Sequence, residues 1–251
     1  MVNILLTGPT GTGKSSLPKE FAAVQRRSFF TMHCQLVTEP GDWWGTREMS
    51  IREGTYFQKA ALVDAMETPG CVVLLDEANR THPENLNALF GLLDHRRRTW
   101  VPALNREVVV APGLIFFVTL NEGANYVGTN AVDIALKDRI SNTIRLDYLP
   151  LKVEVDLLVE RTGIREEEAR ELSQFARTVR SNPKLGIAVS TRQLLECGAL
   201  IKEELSIREA VLFAVTNGTG ERAEQDALLQ ALQLAGKVDS AFLKRRWDDE
   251  E

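Results

Sequence analysis

Gly8, Gly11 and Gly13, followed at once by Lys14 and Ser15, are the densest concentration of chemistry in this 251-residue chain. Glycines at this spacing let the backbone wrap an anion closely, so that several N–H groups point at one phosphate. An ammonium at position 14 would reach the terminal phosphates of a nucleotide, and the hydroxyl of Ser15 is suited to ligating Mg²⁺. The candidate phosphate site comprises Gly8, Pro9, Thr10, Gly11, Thr12, Gly13, Lys14, Ser15 and Ser16. Farther along, Asp76 and Glu77 stand directly after an apolar run at residues 71–75. Adjacent carboxylates there have separable tasks: Asp76 would hold the metal shell that Ser15 also touches, and Glu77 would act as general base on an attacking water. Asn121 ends a second apolar run, and its amide can both donate and accept while orienting that water. Arg139 follows a short helical pattern. An arginine facing away from its own nucleotide can supply positive charge to a neighbour's transition state, although a surface ion pair with Asp138 or Asp133 fits these residues equally.

The elements that must position these groups are legible around them. Residues 4–6 enter the glycine loop as a strand, and residues 14–24 leave it as a helix whose positive end adds to the anion site. Residues 28–36 read as a strand and residues 58–67 as a helix. Residues 71–75 and 114–120 are continuous apolar runs, the signature of strands buried on both faces of a parallel sheet. Thr81 is a candidate cap for the next helix, with Pro83 in its first turn and Leu86, Leu89, Phe90 and Leu93 on its apolar face. Residues 99–110 suggest a hairpin looped at 103–106, residues 131–138 a short helix, and residues 142–146 a last strand. The aromatic, glycine-bearing stretch around 42–57 has no clean period and reads as an insertion with short local structure. Its Trp43 and Trp44 would either grip a partner polypeptide or pack beneath the insertion.

Beyond Tyr148-Leu149-Pro150 the pattern changes to helices at 152–160, 165–179, 191–203, 207–215 and 223–234. Ala169, Leu172, Phe175, Ala176 and Val179 form an apolar stripe in the second of them. Ser190 with Gln193, and Ser206 with Glu209, have capping-box spacing. The expected fold class is therefore α/β, a parallel sheet flanked by helices over residues 1–150, with an insertion near 42–57 and a hairpin near 98–110. A small all-helical domain and tail follow at 151–251.

Composition narrows the classes. Net charge is −5, from 30 basic and 35 acidic residues, which argues against a general nucleic-acid binder. The short basic clusters 95–98 and 244–246 are local exceptions, and the acidic run 248–251 reads as a frayed tail. Three cysteines, Cys34, Cys71 and Cys197, form no CxxC pair and read as small apolar residues in a reducing compartment. His33, His82 and His95 are equally scattered, and no zinc site is legible. No apolar run approaches the ~20 residues of a membrane span, so a cytoplasmic protein without membrane contact is expected.

GPTGTGKS, VVLLDEANR, VTLNEG and ALKDRI, in that order and at these intervals, resemble an AAA+ ATPase. GDWWG, DEANRTHPENLNALFGLLDHRR and YVGTNAVDIALKDRI narrow the resemblance to the MoxR class, especially its CbbQ, NorQ and GvpN-like members. It covers residues 3 to about 150 continuously and the helical region more loosely. The resemblance implies ATP and Mg²⁺ as ligands, Walker A at Lys14 and Ser15, Walker B at Asp76 and Glu77, sensor 1 at Asn121, an arginine finger at Arg139 and a sensor 2 arginine at Arg192. It also implies a homo-hexameric ring acting on a protein substrate, in some relatives through a von Willebrand factor A domain adaptor. The competing expectation is a nucleic-acid motor or loader like the GTP-dependent restriction translocases, for which Arg96, Arg97 and Arg98 are the best support. No Asn-Lys-x-Asp guanine motif accompanies them.

Overall fold

The computed structural model describes residues 2–50, 54–120, 134–140, 142–182, 189–216 and 222–235. Asn121 and the charge clusters at 244–246 and 248–251 lie outside the described residues. The chain divides into two compact units, one of residues 1–9 and 13–147, the other of residues 10–12 and 148–251.

In the first unit, β1 (Val2–Thr7) leads through the glycine loop to α1 (Ser16–Val24) and β2 (Phe29–His33). A hairpin of β3 (Gly45–Ser50) and β4 (Gly54–Lys59) precedes α2 (Ala61–Glu67) and β5 (Val72–Asp76). Then come α3 (Pro83–Leu86), α4 (Phe90–Leu93), a second hairpin of β6 (Arg98–Val101) and β7 (Arg106–Val109), β8 (Ile115–Thr119), α5 (Ile134–Asp138) and β9 (Asn142–Arg145). Five strands pair in parallel in the order β2-β5-β8-β1-β9.

All five residues of β5 are buried, because alternate side chains feed different layers. Val73 and Leu75 join Leu5, Phe116, Val118 and Trp43 in one core cluster. Val72 and Leu74 join Leu6, Phe117 and Ala22 of α1 in the other, where the rings of Phe21 and Phe117 meet at 5.7 Å. Pro18 stands in the first turn of α1, where a missing N–H forfeits no helical bond.

The structure corrects several local expectations. The insertion is a regular antiparallel hairpin in which Thr46 pairs Gln58 and Gly45 pairs Lys59, so α2 starts at Ala61 rather than at residue 58. The second strand ends at His33, and Cys34–Leu36 is a turn of 3₁₀ helix. Thr81 does not cap α3, whose first flanking residue is His82. Its hydroxyl instead donates to the Val37 carbonyl at 2.8 Å, satisfying a main-chain acceptor far off in sequence. Trp43 and Trp44 pack: both are buried, and the Trp43 indole N–H donates to the Asn85 carbonyl at 2.7 Å.

The second unit holds α6 (Leu151–Thr162), α7 (Glu166–Arg180), α8 (Thr191–Lys202), α9 (Ile207–Ala214) and α10 (Arg222–Ala235). The stripe Ala169, Leu172, Phe175, Ala176 and Val179 is fully buried in its core with Leu158, Leu194 and Val211. Both capping boxes form: Ser190 Oγ accepts from the Gln193 N–H, and Ser206 Oγ from the Glu209 N–H.

Candidate nucleotide site

Parallel strands release their chain at one edge of the sheet, and ligands collect there. Register explains which side chains meet. His33 lies level with Asp76 in the β2–β5 pairing, and Thr119 lies level with Leu6 in the β8–β1 pairing. The β5–β8 register runs to Leu75 opposite Val118, so Asp76 comes out beside Thr119.

Asp76 is the centre of the group. Its Oδ1 accepts from the Ser15 hydroxyl at 2.8 Å and from the Thr119 hydroxyl at 2.6 Å, and its Oδ2 lies 3.5 Å from His33 Nδ1. The Thr119 oxygen in turn accepts the Glu77 backbone N–H at 2.8 Å. Glu77 is held in the left-handed region at φ 53, ψ 51, a conformation that costs a non-glycine residue about 1–2 kcal/mol. Such strain is kept where the surroundings over-determine it, which is common at reactive sites. The Glu77 carboxylate receives the Arg80 Nε at 2.8 Å. Behind the pair, burial pushes the Cys34 thiol far up in pKa, and the charges of Asp76 and Glu77 add to the rise. That thiol is an inert neighbour in a negative field.

On the loop, Lys14 is buried and its ammonium donates to the carbonyls of Gly8 and Pro9 at 2.9 and 2.7 Å. Gly8 is required by space as well as by φ +134: a Cβ there would come 2.0 Å from the Leu146 carbonyl oxygen, where β9 has just ended. The donor set at its centre, a hydroxyl and a carboxylate, consists of hard oxygens of the kind Mg²⁺ takes. These residues fit the ion and a nucleotide's phosphates.

The structure therefore brings Lys14, Ser15, Asp76 and Glu77 into one unit at one edge. It adds His33, Arg80 and Thr119, which motif reading missed. Only strand register could have revealed His33 and Thr119, whereas Arg80 was signalled by its i+3 spacing from Glu77. Arg139 follows α5 with its guanidinium 4.4 Å from the Phe90 ring centroid, donating to the Ala135 carbonyl at 2.7 Å. Among the described residues, its Nε is buried without a hydrogen-bond partner. Arg192 is exposed, the second residue of α8 in the second unit.

Comparison with known proteins bears on this arrangement. The profile of the AAA domain, dynein-related subfamily, matches residues 3–140. The chain belongs to that AAA subfamily. The CbbQ/NirQ/NorQ C-terminal profile matches residues 154–235, in agreement with the resemblance to the CbbQ and NorQ branch of the MoxR class. BssE of Thauera aromatica, a candidate chaperone, is 38% identical over 240 residues, covering 95% of this chain and 82% of its own. An uncharacterised protein of Staphylococcus epidermidis is 29% identical over 241 residues, covering 92% of this chain and 90% of its own. Among solved structures, the Holliday junction branch migration motor RuvB of Thermotoga maritima superposes with a TM-score of 0.55 at 14% identity, over 96% of this chain. A point mutant of the same RuvB gives 0.57 at 14% identity over the same share. The chain spans 65% of the length of those RuvB structures. That likeness establishes the P-loop NTPase fold of a parallel five-stranded sheet flanked by helices.

Proposed function

We propose that this chain is a Mg²⁺-dependent ATPase that uses hydrolysis to remodel or activate a partner protein. The observation that carries the reading is the convergence of Ser15 and Thr119 on Asp76 Oδ1, with Glu77 following in a strained backbone conformation. Residues Gly8 to Ser16 cradle the phosphates, and Lys14 turns its ammonium from the loop carbonyls to the terminal phosphates. Ser15 and Asp76 would hold Mg²⁺, which when bound would offset the charge of the transferred phosphoryl group. Glu77 takes the proton of the attacking water, Asn121 orients that water, and Arg192 contacts the nucleotide. Arg139 completes the site of the next subunit in a homo-hexameric ring. Hydrolysis is then expressed as movement of the helical unit.

A protein substrate is supported by the similarity to a candidate chaperone. Adaptor proteins with von Willebrand factor A domains are the expected route to it, and the cytoplasm the expected place. Among the described residues, no helix is long and apolar enough to cross a membrane. The arginine cluster that would favour nucleic acid is divided among separate tasks. Arg96 is bound to Asp94, Arg97 lies over the Phe116 ring and donates to the Leu92 carbonyl, and Arg98 faces Glu107 at 3.9 Å.

Glu77→Gln tests the reading. It keeps the shape and the Walker B position but cannot accept the proton, so ATP binding is retained while turnover falls by about 10²-fold or more. Turnover equal to that of the unaltered chain would remove Glu77 from the mechanism.

A further inference from the structure

Within the second unit, one ion pair takes no part in the chemistry above. The Glu154 and Arg180 side chains are 0% and 7% exposed, and both guanidinium NH₂ groups donate to the carboxylate, each at 3.0 Å. Burying two ions costs several kcal/mol each, and apolar replacements of such pairs are often as stable. Stability alone is therefore a poor reason for the pair, and its geometry is the better guide.

Among the described residues, the other contacts of these two side chains reach the start of α8 and Tyr148. The Thr191 hydroxyl donates to Glu154 Oε1 at 2.8 Å, and Arg180 Nε donates to the Val189 carbonyl at 2.7 Å. The Arg180 Cζ lies over the Tyr148 ring, 3.8 Å from its centroid. Both anchored segments meet the apex of the phosphate loop, residues 10–12, which groups with these helices. The Tyr148 hydroxyl lies 3.5 Å from the Thr10 carbonyl oxygen. Gly11, at φ +77, runs so close to Ser190 that a Cβ would sit 2.4 Å from the Ser190 Cβ. The residue after Thr191 is Arg192.

We propose that Glu154 and Arg180 are positioning residues for ATP turnover. Their buried pair fixes Tyr148 and the first turn of α8 against the loop apex, so that Arg192 is presented to the nucleotide. This rests on the ATPase reading above. The pair touches neither substrate nor reacting atoms and acts through Arg192.

The test uses the full chain with Thr191→Val, Arg180→Lys and Arg192→Ala, singly and with each of the first two combined with Arg192→Ala. Circular dichroism and melting verify the fold, and kcat and KM for ATP are measured for each. Thr191→Val and Arg180→Lys are each expected to lower kcat on the order of tenfold. Neither should lower it further once Arg192 is alanine. Multiplying losses in the Arg192→Ala background, or a wild-type kcat in Thr191→Val, would overturn the proposal while leaving the ATPase reading intact. If Arg180→Lys does not fold, Thr191→Val decides alone, since it removes one hydroxyl and keeps the ion pair. Absence of turnover in the unaltered chain would overturn the ATPase reading and this inference with it.

Discussion

Thr119 shows how much one hydroxyl can organise. It donates to Asp76 and accepts from the main chain of Glu77, so it orients the carboxylate proposed to hold Mg²⁺ and holds the strained turn that carries the proposed base. Thr119→Val preserves shape but leaves the Glu77 N–H without its acceptor, which costs about 1–3 kcal/mol. The variant is expected to unfold at lower denaturant concentration and to hydrolyse ATP about tenfold more slowly, while Thr119→Ser keeps both properties. Wild-type turnover in Thr119→Val would show that Glu77 is held by other contacts. The motif residues here were legible because their chemistry is local: a glycine loop ending in Lys14-Ser15, and an acidic pair after an apolar run. His33 and Thr119 were not, since they enter by strand register and nothing in their own neighbourhoods marks them.

At the scale of elements, the same division between local and distant causes holds. Helix starts at Ser190 and Ser206 could be read because a capping box is complete within four residues. The β3–β4 hairpin could not be read as strands. Its side chains are mostly exposed, so no alternation of apolar and polar residues marks its faces. Trp43 and Trp44 sit just before that hairpin yet belong to the core, with the indole of Trp43 bonded beneath α3. Their role is to anchor the insertion's root. Trp43→Ala should therefore destabilise the fold by about 3–5 kcal/mol, read from denaturant unfolding. A variant of unchanged stability with impaired partner handling would instead assign Trp43 to a gripping surface.

For the whole molecule, family membership and the two units set the frame within which the separate residues act. Arg139 lies over the Phe90 ring and, among the described residues, its Nε has no hydrogen-bond partner; Asp133, one of the two candidate ion-pair partners, lies outside the described residues. In the proposed ring Arg139 serves the neighbouring subunit. Arg139→Ala should then abolish hydrolysis, and so should Lys14→Ala. Mixing the two should restore part of the activity, because one kind of interface then combines an intact loop with an intact arginine. No recovery from rings that demonstrably mix would place Arg139 outside the site. The most direct measurement is the ATP hydrolysis rate per subunit against protein concentration with Mg²⁺, while light scattering follows particle size. A rate per subunit that climbs as rings assemble is the predicted result. A constant rate from a monomer would contradict a site completed by its neighbour.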